Sequence, residues 1–100
     1  MVKKYANLVC ITPDGIGLDE LDFKVISIVN DKPGVSMKEI YKISQVNVTY
    51  PTIINRCKRL DSLGYLKKSS DGKLSSMHLT PMGKKLLKNN IKRLRERWIM

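Results

Sequence analysis

The sequence predicts a mainly α domain carrying one small β-wing, a two-stranded hairpin, and a long terminal helix. Three observations carry that expectation. Residues 36–66 (SMKEIYKISQVNVTYPTIINRCKRLDSLGYL) read as two short helices joined by a tight turn, the second stopping at a glycine. Asp71-Gly72 lies between two short runs with strand character. That dipeptide is a strong hairpin signal, because a type I′ turn needs positive φ at both central residues. Leu79-Thr80-Pro81-Met82-Gly83 then opens another helix, with proline where helical amides lack partners anyway.

The elements follow in order. Residues 1–17 are expected to be an arm on a core domain of residues 18–80, with a C-terminal helix over 81–100. Within the arm, Tyr5–Ile11 (YANLVCI) is apolar and partly β-branched, and periodicity leaves strand and helix both open. Thr12-Pro13-Asp14-Gly15-Ile16-Gly17 is a turn-rich break. The first core helix is expected over Leu18–Asn30, where Leu18, Leu21, Val25, Ile28 and Val29 share one face. Asp19, Glu20 and Asp22 sit in its first turn, where the helix dipole favours acids. Asp31-Lys32-Pro33-Gly34 ends it. Ser36-Met37-Lys38-Glu39 is a capping box for the second helix, with Ile40 and Ile43 expected to pack inward. Gln45–Val48 is the turn. Thr49 caps the third helix, which runs to about Leu63 before Gly64. Tyr65–Lys68 and Leu74–Leu79 are the strands of the hairpin.

One hundred residues make one domain with a modest core. Apolar residues at 42% and charged residues at 28% exclude wholesale disorder. The net charge of +10 is unevenly placed. Residues 1–46 hold six Lys/Arg and six Asp/Glu and sum to zero. Residues 47–100 hold thirteen Lys/Arg and three Asp/Glu, so the whole excess lies from the third helix onward. Such a field attracts polyanions.

The third helix divides into two faces at about 100° per residue. Ile53, Cys57 and Leu60 form an apolar stripe. Pro51, Asn55, Lys58 and Ser62 lie opposite, with Thr52 and Arg59 beside them. A helix with short hydrogen-bonding groups and cations fits the major groove, where Asn can pair with adenine, Lys or Arg with guanine, and Thr methyls with thymine. Tyr50, Thr52, Asn55 and Lys58 are the expected groove-facing set, beside Thr49. Arg56 and Arg59 are expected on phosphates, setting register. Lys67, Lys68 and Lys73 on the hairpin are expected to touch flanking backbone. An amphipathic helix with a merely solvated polar face is the bland alternative. The capped helix and turn before it, and the basic hairpin after it, argue against that.

These residues carry a resemblance. Ser36…Glu39-Ile40, Thr52-Ile53-Ile54-Asn55-Arg56-Cys57-Lys58-Arg59-Leu60, Leu63-Gly64-Tyr65-Leu66 and Leu79-Thr80-Pro81-Met82-Gly83 together resemble the winged helix-turn-helix family. Within it the chain is similar to small MarR-type and archaeal or phage-like transcription regulators, over about residues 18–87. The resemblance implies a DNA-binding regulator that dimerises through terminal helices. Two departures stand out. The wing lacks the Asp-x-Arg stretch of MarR-type wings, so insertion of an arginine in the minor groove is not expected, and the chain is shorter than typical members, so the resemblance does not extend to their ligand pocket and leaves any small-molecule effector open.

In the last helix Leu87, Ile91, Leu94 and Trp98 form a short heptad-like stripe among many cations. Burying it against a second copy is the expected solution. Packing on the chain's own domain and lying on an anionic membrane are the alternatives.

Other chemistry finds no support in the pattern. His78 has no acid or cysteine at triad or ligand spacing. Cys10 and Cys57 are too few for a disulfide framework or zinc site and fit a reduced, cytoplasmic setting. Cys57 is expected in the core, and Cys10 at a plain apolar position rather than as a redox handle. Gly15-Ile16-Gly17 lacks the rest of a dinucleotide motif. Lys3-Lys4 before a short apolar run lacks a cleavage site and is not read as a signal peptide. The expectation is therefore a homodimeric, non-enzymatic regulator of double-stranded DNA, without cofactor or metal. A protein- or RNA-docking module and a nonspecific architectural binder are the rivals.

Overall fold

The computed structural model describes the backbone of residues 8–44, 48–71 and 74–98, and the side chains of 8–44, 48–69 and 76–92. The elements in order are β1 (Leu8–Ile11), β2 (Gly17–Asp19), α1 (Glu20–Asp31), α2 (Met37–Ser44), α3 (Tyr50–Ser62), β3 (Leu66–Asp71), β4 (Leu74–Leu79) and α4 (Pro81–Trp98).

Leu8–Ile11, the described part of the apolar run before Thr12, is a strand, and residues 5–7 of that run lie outside the described residues. β1 pairs antiparallel with β2, Cys10 opposite Leu18 and Ile11 opposite Gly17, with a bulge between Leu8 and Cys10. Thr12 closes the turn: its amide donates to the Ile16 carbonyl at 2.8 Å, and its hydroxyl accepts from the Ile16 amide at 3.1 Å. Val9 and Leu18 enter the core. The expected boundary between arm and core domain therefore falls inside this hairpin. Leu18, expected to open the first helix, belongs to β2 instead. Asp19 is the N-cap, and a reciprocal box with Asp22 closes both carboxylates onto backbone amides at 3.0 Å.

α1 is the central helix. Leu21, Phe23, Val25, Ile26, Ile28 and Val29 are all buried, so it is apolar on nearly every side, as a helix enclosed by its neighbours must be. It touches β2, α2, α3, β4 and α4.

α2 has the expected cap. The Glu39 amide donates to Ser36 Oγ at 3.1 Å, and the Ser36 amide donates to Glu39 Oε1 at 3.4 Å. Ile40 is buried, but Ile43 is 39% exposed, which corrects the inward placement expected for it. A step of four from Ile40 points inward and a step of three falls on the flank. Ser44 takes the inner place and donates its hydroxyl to the Tyr41 carbonyl at 2.8 Å.

α3 starts after Thr49, which is extended. Its hydroxyl meets the Thr52 hydroxyl at 3.0 Å and makes no bond to a helix amide, so the expected side-chain cap does not form. Gly64 at φ +89° ends the helix, and the Tyr65 amide reaches back to the Leu60 carbonyl at 3.0 Å. β3 and β4 pair from Leu66–Leu79 out to Asp71–Leu74. The tip at 72–73, with the expected turn, lies outside the described residues. Val35 adds a bridge to Met77 on the other edge of β4.

α4 is set tightly against the base of this wing. Thr80 Oγ1 donates to the Gly64 carbonyl at 2.6 Å and accepts from the Gly83 amide at 3.0 Å. A Cβ on Gly83 would collide with the Tyr65 carbonyl oxygen and come within 2.9 Å of Leu79. Glycine is what permits this approach. Among the described residues, no helix is long and apolar enough to cross a membrane.

Candidate nucleic-acid interface

The core anchors one face of α3 and leaves the opposite one outside. Ile53, Cys57 and Leu60 are buried, and burial pushes the Cys57 thiol up to about 12. Thr49, Tyr50, Asn55 and Lys58 are exposed, and Thr52 is half-buried. Asn55 and Lys58 are thus open to a partner, as the helical spacing predicts. The first turn of α3 contains no acid, so its dipole end and threonine hydroxyls suit an anion. Tyr50 stacks at a tilt on Tyr41 of α2, ring centroids 5.6 Å apart. Tyr41 is a neighbour of this face that sequence reasoning missed, because its contact crosses from one helix to the next.

Arg56 and Arg59 stand elsewhere. Arg56 Nη1 lies 2.6 Å from Asp19 Oδ1 and 3.2 Å from Asp22 Oδ1. Arg59 Nη2 lies 3.1 Å from Asp22 Oδ2 and donates to the Gly17 carbonyl at 2.5 Å. Both guanidiniums pair with the chain's own β2 and α1, a set of partners that the phosphate-contacting placement expected for them did not include. The cause is α1 itself: its capping carboxylates project beside the flank of α3. The Asp22 side chain has 0% exposure. Burial raises its pKa against the pull of the Asp19 amide and both arginines. Asp19 is also partly desolvated, but its hydrogen bonds from Arg56 and from the Asp22 amide prevail and hold it low. Asp22 Oδ1 and Arg59 Nε remain buried without hydrogen-bond partners.

Lys67 and Lys68 of the wing are exposed. Successive strand residues face opposite ways. Lys68 stands across from Met77 and Lys67 across from His78, so the two lysines leave the wing on opposite faces. Lys73 lies outside the described residues.

The terminal stripe is divided. Leu87, expected at a dimer seam, is buried in the chain's own core at 6% exposure, because the close approach at Gly83 turns the next helical turn inward. Ile91 is 39% exposed. The side chains of Leu94 and Trp98 lie outside the described ones. Exposed Lys84, Lys85, Lys88 and Lys92 line α4. Among the described residues, no group of His, Cys, Asp and Glu could hold a metal ion.

No protein-family model matches the chain, and no curated protein matches its sequence. Solved structures do match its fold. A MarR/EmrR family transcriptional regulator from Acinetobacter sp. ADP1 superposes with a TM-score of 0.71 at 20% identity, over 84% of this chain and 60% of that one. MepR of Staphylococcus aureus in a DNA complex gives 0.69 at 19% identity, over 79% and 58%. SSV1 F-93 gives 0.60 at 21% identity, over 75% and 89%. The chain thus spans about three fifths of the two MarR-type structures and most of SSV1 F-93. With its helix-turn-helix, its two-stranded wing and the helix behind it, the chain has the winged helix-turn-helix fold of the MarR-type regulators.

Proposed function

We propose that the protein is a transcription regulator that binds double-stranded DNA sequence-specifically as a homodimer. The observation that carries this reading is the outward face of α3. Asn55 and Lys58 are exposed opposite a fully buried stripe, with Tyr50 and Thr52 at the same end, on a fold shared with a regulator solved on DNA. Asn55 reads a base in the major groove, Lys58 a guanine or a phosphate, and Thr49, Tyr50 and Thr52 line the entry of the helix. The wing lysines Lys67, Lys68 and Lys73 contact flanking backbone, and the lysines of α4 add nonspecific attraction.

Dimerisation would use α4 beyond Leu87. Ile91 is exposed there, and Leu94 and Trp98 continue its spacing along the same helix. A two-fold axis then places two copies of α3 on half-sites about one helical turn apart. Selection of bound duplexes from a random pool tests both claims. A palindromic consensus is the expected result. A pool recovered without sequence preference would leave only an architectural binder, and no recovery at all would favour a protein- or RNA-docking module.

A further inference from the structure

We infer that Arg56 and Arg59 are positioning residues, and that with Asp19, Asp22 and the Gly17 carbonyl they form a clamp fixing the rotation of α3 about its axis. The inference rests on the DNA-reading role proposed for α3 and deepens it: the β1–β2 hairpin becomes part of the reading apparatus.

The apolar stripe of Ile53, Cys57 and Leu60 holds α3 against the core, but apolar burial is non-directional. It resists separation far better than a small roll. Side chains extend about 5–6 Å from a helix axis. A roll of about 20° therefore moves a tip by about 2 Å, enough to break a bidentate contact to a base. Directional bonds supply the missing constraint. Arg56 and Arg59 project from one flank of α3, one turn apart, between the buried stripe and the exposed Asn55 side. Arg56 Nη1 donates to Asp19 Oδ1 and sits in ion-pair range of Asp22 Oδ1, and Arg59 Nη2 donates to both Asp22 Oδ2 and the Gly17 carbonyl. Those acceptors are rigid themselves, since each carboxylate also caps α1.

Stability alone is a poor account of this cluster. The Asp22 side chain is fully buried, and taking its charge out of water offsets much of the Coulomb gain of its ion pairs. The cluster also leaves Asp22 Oδ1 and Arg59 Nε without hydrogen-bond partners. Nor do the pairs add attraction for DNA, because two carboxylates offset two guanidiniums. What the cluster supplies is geometry.

The test compares wild type with Asp19→Asn, Arg56→Gln and, as a true phosphate or base contact, Lys58→Gln. Asn caps a helix as well as Asp does, so Asp19→Asn keeps α1 intact. Two readouts are taken. Residual dipolar couplings of the DNA-free protein report the orientation of α3 against α1. Titration against the selected duplex and a scrambled one, over a range of salt, reports selectivity and the salt slope. The expected result is that Asp19→Asn and Arg56→Gln change the α3 couplings and lower selectivity about tenfold with an unchanged slope. Lys58→Gln should leave the couplings alone and, where it meets phosphate, flatten the slope by about one. Unchanged couplings in Asp19→Asn would overturn the clamp. So would tighter binding to both duplexes with a slope steeper by about one, since a freed Arg56 would then be a phosphate ligand. A wild type without sequence choice defeats the DNA-reading role, while the couplings still decide the clamp.

Discussion

Asp22 has no exposed side-chain surface and carries a charge in a protein of 100 residues, so its environment is the most demanding at the residue scale. The two carboxylates of the clamp respond to pH with opposite sign. Asp19 is held below its ordinary value of 3.8, so its contribution is present above that value and is lost as pH falls through the lower folded one. Asp22 is raised by burial, so ionising it opposes folding as pH climbs through its folded value, and acid relieves that cost. Carboxyl NMR titration should therefore find Asp19 titrating below Asp22. Asp19→Asn should flatten the acid limb of the stability curve below about pH 4; an unaltered limb would place the acid sensitivity elsewhere. Gly83 makes a second demand. Its replacement by alanine drives a methyl into the Tyr65 carbonyl, at a cost of about 1–3 kcal/mol, partly offset by alanine's better helix propensity. Urea denaturation should show the midpoint fall. Both residues were visible in the sequence only as local helix signals. A capping acid and an early glycine give no sign of what the rest of the chain brings against them.

Elements divide their residues between core and partner by angular position, and the division can be measured. In α2, Ile40→Ala should cost about 2–5 kcal/mol, while Ile43→Lys should change stability by no more than about 0.5 kcal/mol. Equal losses by denaturation would mean that Ile43 is covered. The same contrast applies to α4. Leu87→Ala should lower the stability of the fold by about 2–5 kcal/mol. Ile91→Glu should instead turn a dimer into a monomer in sedimentation equilibrium with little change in protomer fold. A wild type that sediments as a monomer would remove the dimer. The heptad-like spacing was legible from Leu87 onward, but spacing names a stripe without saying where along it the chain's own core stops. That limit was set by how closely Gly83 lets α4 approach Tyr65 and Leu79 at the base of the wing.

For the whole molecule, charge is the governing quantity. The +10 excess sits in residues 47–100, yet Arg56 and Arg59 are neutralised by Asp19 and Asp22 from the balanced half. Among the described residues of that half, the exposed cations are Lys58, Lys67, Lys68 and the lysines of α4. Binding to duplex should weaken steeply with salt, log affinity falling about 0.9 per phosphate neutralised for each unit of log salt. Fluorescence anisotropy on a labelled duplex checks this, and a flat salt response would exclude a phosphate-dominated interface.

Sequence by itself determined the order and type of most elements, the capping of α2, the stop at Gly64 and the sidedness of α3. Each of these is set by neighbours within about one helical turn or one strand pair, where backbone chemistry acts locally. Only the tertiary structure decided that Leu8–Ile11 is a strand paired with β2, that Leu87 faces inward, and that the two arginines of α3 pair with acids at the start of α1. Asp19 and Arg56 are thirty-seven positions apart. No local period connects them, and they meet because the buried faces of α1 and α3 share one core, which turns their polar flanks toward each other.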